Sequence, residues 1–109
     1  MKDFKKAETV EEILEHSEKE PVIVLKHSLT CPISLAAHER VVAGLKEDEV
    51  QYPIYLVIMQ EEKELSTDLA QKLDVKHESP QLIVVHHGNS AYDASHHDIR
   101  VEDIPKNIS

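Results

Sequence analysis

Three apolar runs that do not alternate with polar residues restrict this chain more than anything else in it. They are Val22-Ile23-Val24-Leu25, the stretch from Tyr52 to Met59, and the stretch from Gln81 to His86. A strand with one wet face alternates apolar and polar side chains. A short, mostly β-branched run without alternation instead needs cover on both faces, as central strands of α/β sheets have.

The segments between the runs supply that cover. Thr9 and Glu12 form a capping-box pattern ahead of the stripe Val10, Ile13 and Leu14, so residues 9–19 read as an amphipathic helix that Pro21 ends. Ile33, Ala37, Val41 and Leu45 recur at helical spacing from Pro32 to about Lys46, with the small residues Ala36 and Gly44 beside them for close packing on a sheet. Ser66 is placed to cap a third helix, with Leu65 as a staple before it and Leu69, Ala70 and Leu73 facing inward.

Pro53 falls near the start of the second strand, where a missing donor is tolerated. A turn from Asp74 to Ser79 leads into the third, and Gly88-Asn89 suits a tight reversal into a weaker strand from about Ser90 to Ala94. Val101, Ile104 and Ile108 indicate a short closing helix, with Pro105 complicating its start. The predicted order is α-β-α-β-α-β-β-α: an α/β chain with a four-stranded mixed sheet flanked by helices, expected to form one domain over residues 1–109.

Charge and cysteine count narrow the function classes. The formal net charge is −9, from 21 acidic and 12 basic residues, without a Lys/Arg cluster that could neutralise phosphates, so nucleic acid is not expected as a partner. No apolar stretch reaches the ~20 residues of a membrane span, and Met1 to Glu8 lacks a signal-peptide core, so the expected location is cytoplasmic. A single cysteine, Cys31, makes no internal disulfide, which agrees with a reducing compartment.

Cys31 lies in Thr30-Cys31-Pro32-Ile33-Ser34, between the first strand and the second helix. A thiolate at such a junction is stabilised by unpaired amide donors and the positive end of the helix dipole. In a Cys-x-x-Cys site the resolving thiol stands three residues on, and here that position is Ser34, whose hydroxyl is a candidate hydrogen-bond donor to the thiolate. Cys31 is therefore the candidate nucleophile of a monothiol cycle, with Ser34 assisting. Before the third strand, Glu78-Ser79-Pro80-Gln81 places a proline between a helix and a hairpin strand. The element order and this proline are those of a thioredoxin fold, in which that proline is cis and lies against the active-site cysteine.

With both features present, the chain resembles the single-cysteine bacilliredoxins, through Lys26 to Ser34, Glu78 to Gln81, and Gly88-Asn89. The resemblance implies a thiol–disulfide oxidoreductase that removes bacillithiol from mixed disulfides on cytoplasmic proteins, with bacillithiol as co-substrate and no tightly bound cofactor. Thr30, Pro32, Ile33, Ser79 and Pro80 are then expected to line the substrate site. A cis Pro80 would leave the backbone of Ser79 open to bridge an extended thiol ligand. Lys26, His27, Lys76 and His77 flank the two segments and are candidates to offset the negative charge for an anionic thiol.

Two other readings compete. Some single-cysteine relatives of glutaredoxin carry an iron–sulfur cluster between subunits, but the rigid Pro32 matches the cluster-free kind. The other is a redox-inactive thioredoxin-fold interaction module, whose thiol would titrate near ~8.5. Eight histidines raise a metal site, yet the pairs His86-His87 and His96-His97 are adjacent, and adjacent strand residues point to opposite faces, so no metal is expected. Glu11-Glu12 and Glu61-Glu62 read as solvated surface, and Tyr52, Tyr55 and Tyr92 as core or rim.

Overall fold

A computed structural model describes residues 4–28, 35–36, 38–41, 43–44, 52–76, 78, 80–95 and 99. Its first long element is helix α1, Val10–Lys19, which starts where the capping pattern put it. Thr9 is extended and its Oγ1 accepts the Glu12 N–H at 3.4 Å, while the Glu12 carboxylate accepts the N–H of Glu8, one residue ahead of the cap. Glu20 ends the helix in an extended conformation, the one that a following proline favours.

The sheet has the order β1-β3-β2-β4-β5, with β1 Phe4–Lys5, β2 Val22–His27, β3 Ile54–Ile58, β4 Gln81–His86 and β5 Asn89–Ser95. β2 is central, parallel to β3 and antiparallel to β4, so the four expected strands form the expected mixed sheet. β1 is an addition at the edge, parallel to β3 and too short to leave a periodic signal. β2 is buried at every position, and it runs two residues past the apolar run to include Lys26 and His27.

Strand alternation divides the core into two layers. Val22 and Val24 pack with Val10, Ile13, Leu65, Leu69 and Leu73 from α1 and from helix α3, Lys63–Leu73. Ile23 and Leu25 pack on the other face with Val41, Leu82, Val84 and Ile99. Val41 belongs to helix α2, whose described residues are 35, 36, 38–41, 43 and 44. Ala36 is exposed and so does not pack on the sheet as expected; Ile33, Ala37 and Leu45 lie outside the described residues, as does the closing helix.

Four local expectations are corrected. α3 begins at Lys63 with Glu62 as its cap residue, so Ser66 and Leu65 are buried inside the helix rather than at or before its start. The Glu62 carboxylate points back to β3, accepting the Ile58 N–H and the Lys6 ammonium, each at 2.9 Å, so Glu62 is a tie between elements and not free surface. The hairpin turn is His87-Gly88, with φ of 53° and 74°, and Asn89 is already paired with His86. Two successive positive φ angles are the type I′ geometry that matches strand twist. Because His87 has left the strand, its ring lies 3.9 Å from that of His86 instead of on the opposite face.

Candidate functional site

The C-terminal end of β2 and the N-terminal end of β4 meet at one end of the sheet. Their last described register pair is Lys26 with Gln81. β2 thus delivers the chain into the segment that contains Cys31 next to the strand start that Pro80 precedes, and Pro80 itself is buried. Thr30, Cys31, Pro32, Ile33, Ser34, Ser79 and His77 lie outside the described residues, and with Ser79 goes the geometry of the Ser79–Pro80 bond.

What can be described around that segment is an unusual set of buried polar groups. Lys26 is 0% exposed, His27 5% and Gln81 1%. Taking an ammonium out of water disfavours its charged form, and burial lowers the Lys26 pKa from 10.5 to about 8. Gln81 Nε2 donates to the Lys76 carbonyl at 2.9 Å, whereas its Oε1 is buried and has no hydrogen-bond partner among the described residues. His27 sits on the α2 face of the sheet, where its ring lies 4.9 Å from that of His38 with a 33° tilt. Its carbonyl accepts the Met59 N–H at 2.9 Å, and Gln60 Nε2 donates to Ser28 Oγ at 3.0 Å, so β2 stays anchored on the β3 side beyond the last ladder residue.

These positions correct one expectation. Lys26 and His27 are interior groups on opposite faces of β2, and neither forms an exposed patch for an incoming anion. Lys76 is on the surface and pairs with Glu78 at 3.5 Å. The sequence reading also missed two residues: Gln81, taken only as a strand start, and His38, one histidine among eight. The signal available for His38 was its place three residues before Val41, on the helix that follows the cysteine.

Among the described residues no three His, Cys, Asp or Glu side chains converge to hold a metal, and no helix is long and apolar enough to cross a membrane. The described groups at this end of the sheet are the end of β2, the buried Pro80 ahead of β4, and the buried side chains of Lys26, His27 and Gln81.

Comparisons with known proteins agree with that geometry. A family profile described as "Monothiol bacilliredoxin BrxC" matches residues 2–104. A solved structure described as having a thioredoxin fold and a proposed oxidoreductase role is 37% identical, with a TM-score of 0.77 over 89% of this chain and 86% of that one. Thioredoxin from Fasciola hepatica superposes with a TM-score of 0.62 at 18% identity, covering 87% of this chain and 86% of that one. Thioredoxin from Aeropyrum pernix gives 0.61 at 22% identity, over 80% and 71%. The last two are likenesses of fold.

Proposed function

Because this chain belongs to the monothiol bacilliredoxin family, we propose that it removes bacillithiol from mixed disulfides on cytoplasmic proteins, using Cys31 as its only nucleophile. Family and fold together make it a thiol oxidoreductase. The observation that supports the finer reading is the family match, and the Lys26–Gln81 register pair agrees with it by setting the end of β2 beside the start of β4, which Pro80 precedes.

The cycle needs two exchanges. The Cys31 thiolate attacks the bacillithiol sulfur of the mixed disulfide, the old S–S bond breaks, and the client leaves as a thiolate that takes a proton from solvent. Cys31 then holds bacillithiol as a new mixed disulfide. A second bacillithiol thiolate attacks that sulfur, releasing the symmetric disulfide of bacillithiol and regenerating the Cys31 thiolate. One disulfide is exchanged for another, and no electron source is required within the protein.

Ser34 serves as a hydroxyl donor to the thiolate. Pro32 holds the backbone without adding a donor, and Thr30, Ile33, Ser79 and Pro80 line the approach. No bound cofactor is required. The test is release of the client thiol from a bacillithiol mixed disulfide by the wild type, Cys31→Ser and Ser34→Ala. The reading expects no turnover from Cys31→Ser and a slowed but measurable first exchange from Ser34→Ala. Full turnover by Cys31→Ser would overturn it.

A further inference from the structure

We propose that Leu35 is a contact for the protein part of the mixed disulfide and favours clients with an apolar side chain beside the modified cysteine, an inference that rests on the thiol reading above. Leu35 is 46% exposed, and among the described residues it is the only large hydrophobic side chain that is exposed. It belongs to helix α2, whose exposure follows the helical period: residues 35, 36, 39, 40 and 43 are exposed, while Val41 is buried in the core. Leu35 is thus an outward position of the helix and no part of its inward stripe.

A lone exposed leucine is ordinary on a protein surface, and its place in the chain is what gives this one a partner. Leu35 follows Cys31 by four residues, a length of chain that spans no more than about 14 Å. During the first exchange the client sulfur stands in line behind the sulfur that Cys31 attacks, so the client surface is held against that point. A weak, transient contact covers up to ~600 Å² on each partner, which is a patch of about 14 Å radius when round. Leu35 is within that radius however residues 32–34 run.

The neighbouring exposed side chains give this apolar contact a polar border. Ala36 continues the apolar surface, and one turn on, Glu39 and Arg40 are exposed and of opposite charge. Their charges offset each other, so this part of a chain with net charge −9 does not select its partner by charge. Leucine offers no donor or acceptor, and what it gains from a partner is removal from water. Burying the exposed half of its side chain corresponds to about three- to tenfold in kcat/KM.

The experiment measures kcat/KM on two bacillithiol mixed disulfides, one on a model client protein with leucine beside its cysteine and one on mercaptoethanol. The proteins are the wild type, Leu35→Gln, Leu35→Met and Cys31→Ser. Glutamine keeps the length and helix propensity of the side chain, and methionine also keeps its apolar character. The expected result for Leu35→Gln is a kcat/KM about three- to tenfold lower on the protein client, through a higher KM, with the wild-type value on mercaptoethanol. Leu35→Met should match the wild type on both. A Leu35→Gln value equal to the wild type on the protein client would overturn the inference. So would an equal loss on both substrates, which marks a change in the helix and not a lost contact. Leu35→Lys carries the same test if the glutamine variant does not fold. Release from either substrate by Cys31→Ser would instead remove the thiol reading itself.

Discussion

Lys26 and Gln81 face each other across β2 and β4, both buried, at the end of the sheet where the chain enters the cysteine segment. A lysine held there in low dielectric works against folding, and the size of that effect depends on pH. The unfolded chain binds this proton with a pKa of 10.5, the folded chain with one of about 8. Between those values the unfolded state carries more protons, so stability rises with pH across the window; below about 8 the full penalty, on the order of 3 kcal/mol, is present. Lys26→Met keeps most of the side-chain volume and removes the charge. It should stabilise the protein at pH 7 by about 1–3 kcal/mol, with a gain that shrinks to below about 1 kcal/mol by pH 10. Urea midpoints at the two pH values check both the sign and the trend.

Ser17 is a buried hydroxyl that joins α1 to the hairpin. Its Oγ donates to the Leu14 carbonyl at 2.6 Å and accepts the Gly88 N–H at 3.0 Å, and its own carbonyl accepts the His87 N–H at 2.9 Å. Ser17→Ala leaves the Gly88 amide without that acceptor, for an expected loss of about 1–3 kcal/mol. Ser17→Thr should retain more of the stability than alanine does, and thermal melts of the two variants distinguish a lost hydrogen bond from lost packing.

The turn residues themselves make a paired prediction. A Cβ at Gly88 would sit 3.6 Å from Glu18 Oε1, an ordinary contact, so Gly88→Ala is disfavoured by its φ of 74° alone, at about 1 kcal/mol. His87 also holds a positive φ, which asparagine tolerates better, and its 3.4 Å approach to Glu18 is between exposed groups. His87→Asn should therefore be neutral or stabilising by a few tenths of a kcal/mol. A large loss of stability in that variant would contradict the turn assignment.

Leu69 is fully buried between α3 and the sheet, in the layer that holds Val24 and Ile83. Leu69→Ala removes methyl and methylene groups from a site that backbone elements prevent from collapsing, and should lower unfolding free energy by about 2–5 kcal/mol. Denaturant titration measures it directly, and an unchanged m value would show that the denatured state is not the cause.

The strands were legible because their apolar runs are short, β-branched and free of alternation, and the cap of α1 because Thr9 and Glu12 both act locally. Lys26 and His27 concealed the true end of β2: polar side chains read as the start of a loop, and only tertiary burial shows them as strand. Ser66 misled for the opposite reason. Its hydroxyl suits a cap, but the helix starts at Lys63 behind Glu62, whose carboxylate bonds the Ile58 N–H and Lys6 and makes no cap hydrogen bond to the helix. The hairpin turn shifted by one residue because Gly88 can take either central position, and the register of β5 decides which. Of the site, Cys31 and Pro80 were readable as sequence motifs, whereas the His27–His38 contact joins residues of a strand and a helix eleven positions apart and has no local signature.

The central claim is that one thiol carries the whole cycle, and intact mass of the protein tests it most directly. The protein is incubated with a model client carrying bacillithiol as a mixed disulfide, beside a glutathione-carrying client and a Cys31→Ser control. The account predicts the mass of one bacillithiol on the wild type, transferred in preference to glutathione, and none on Cys31→Ser. No adduct from either client, or an adduct that persists in Cys31→Ser, would contradict it.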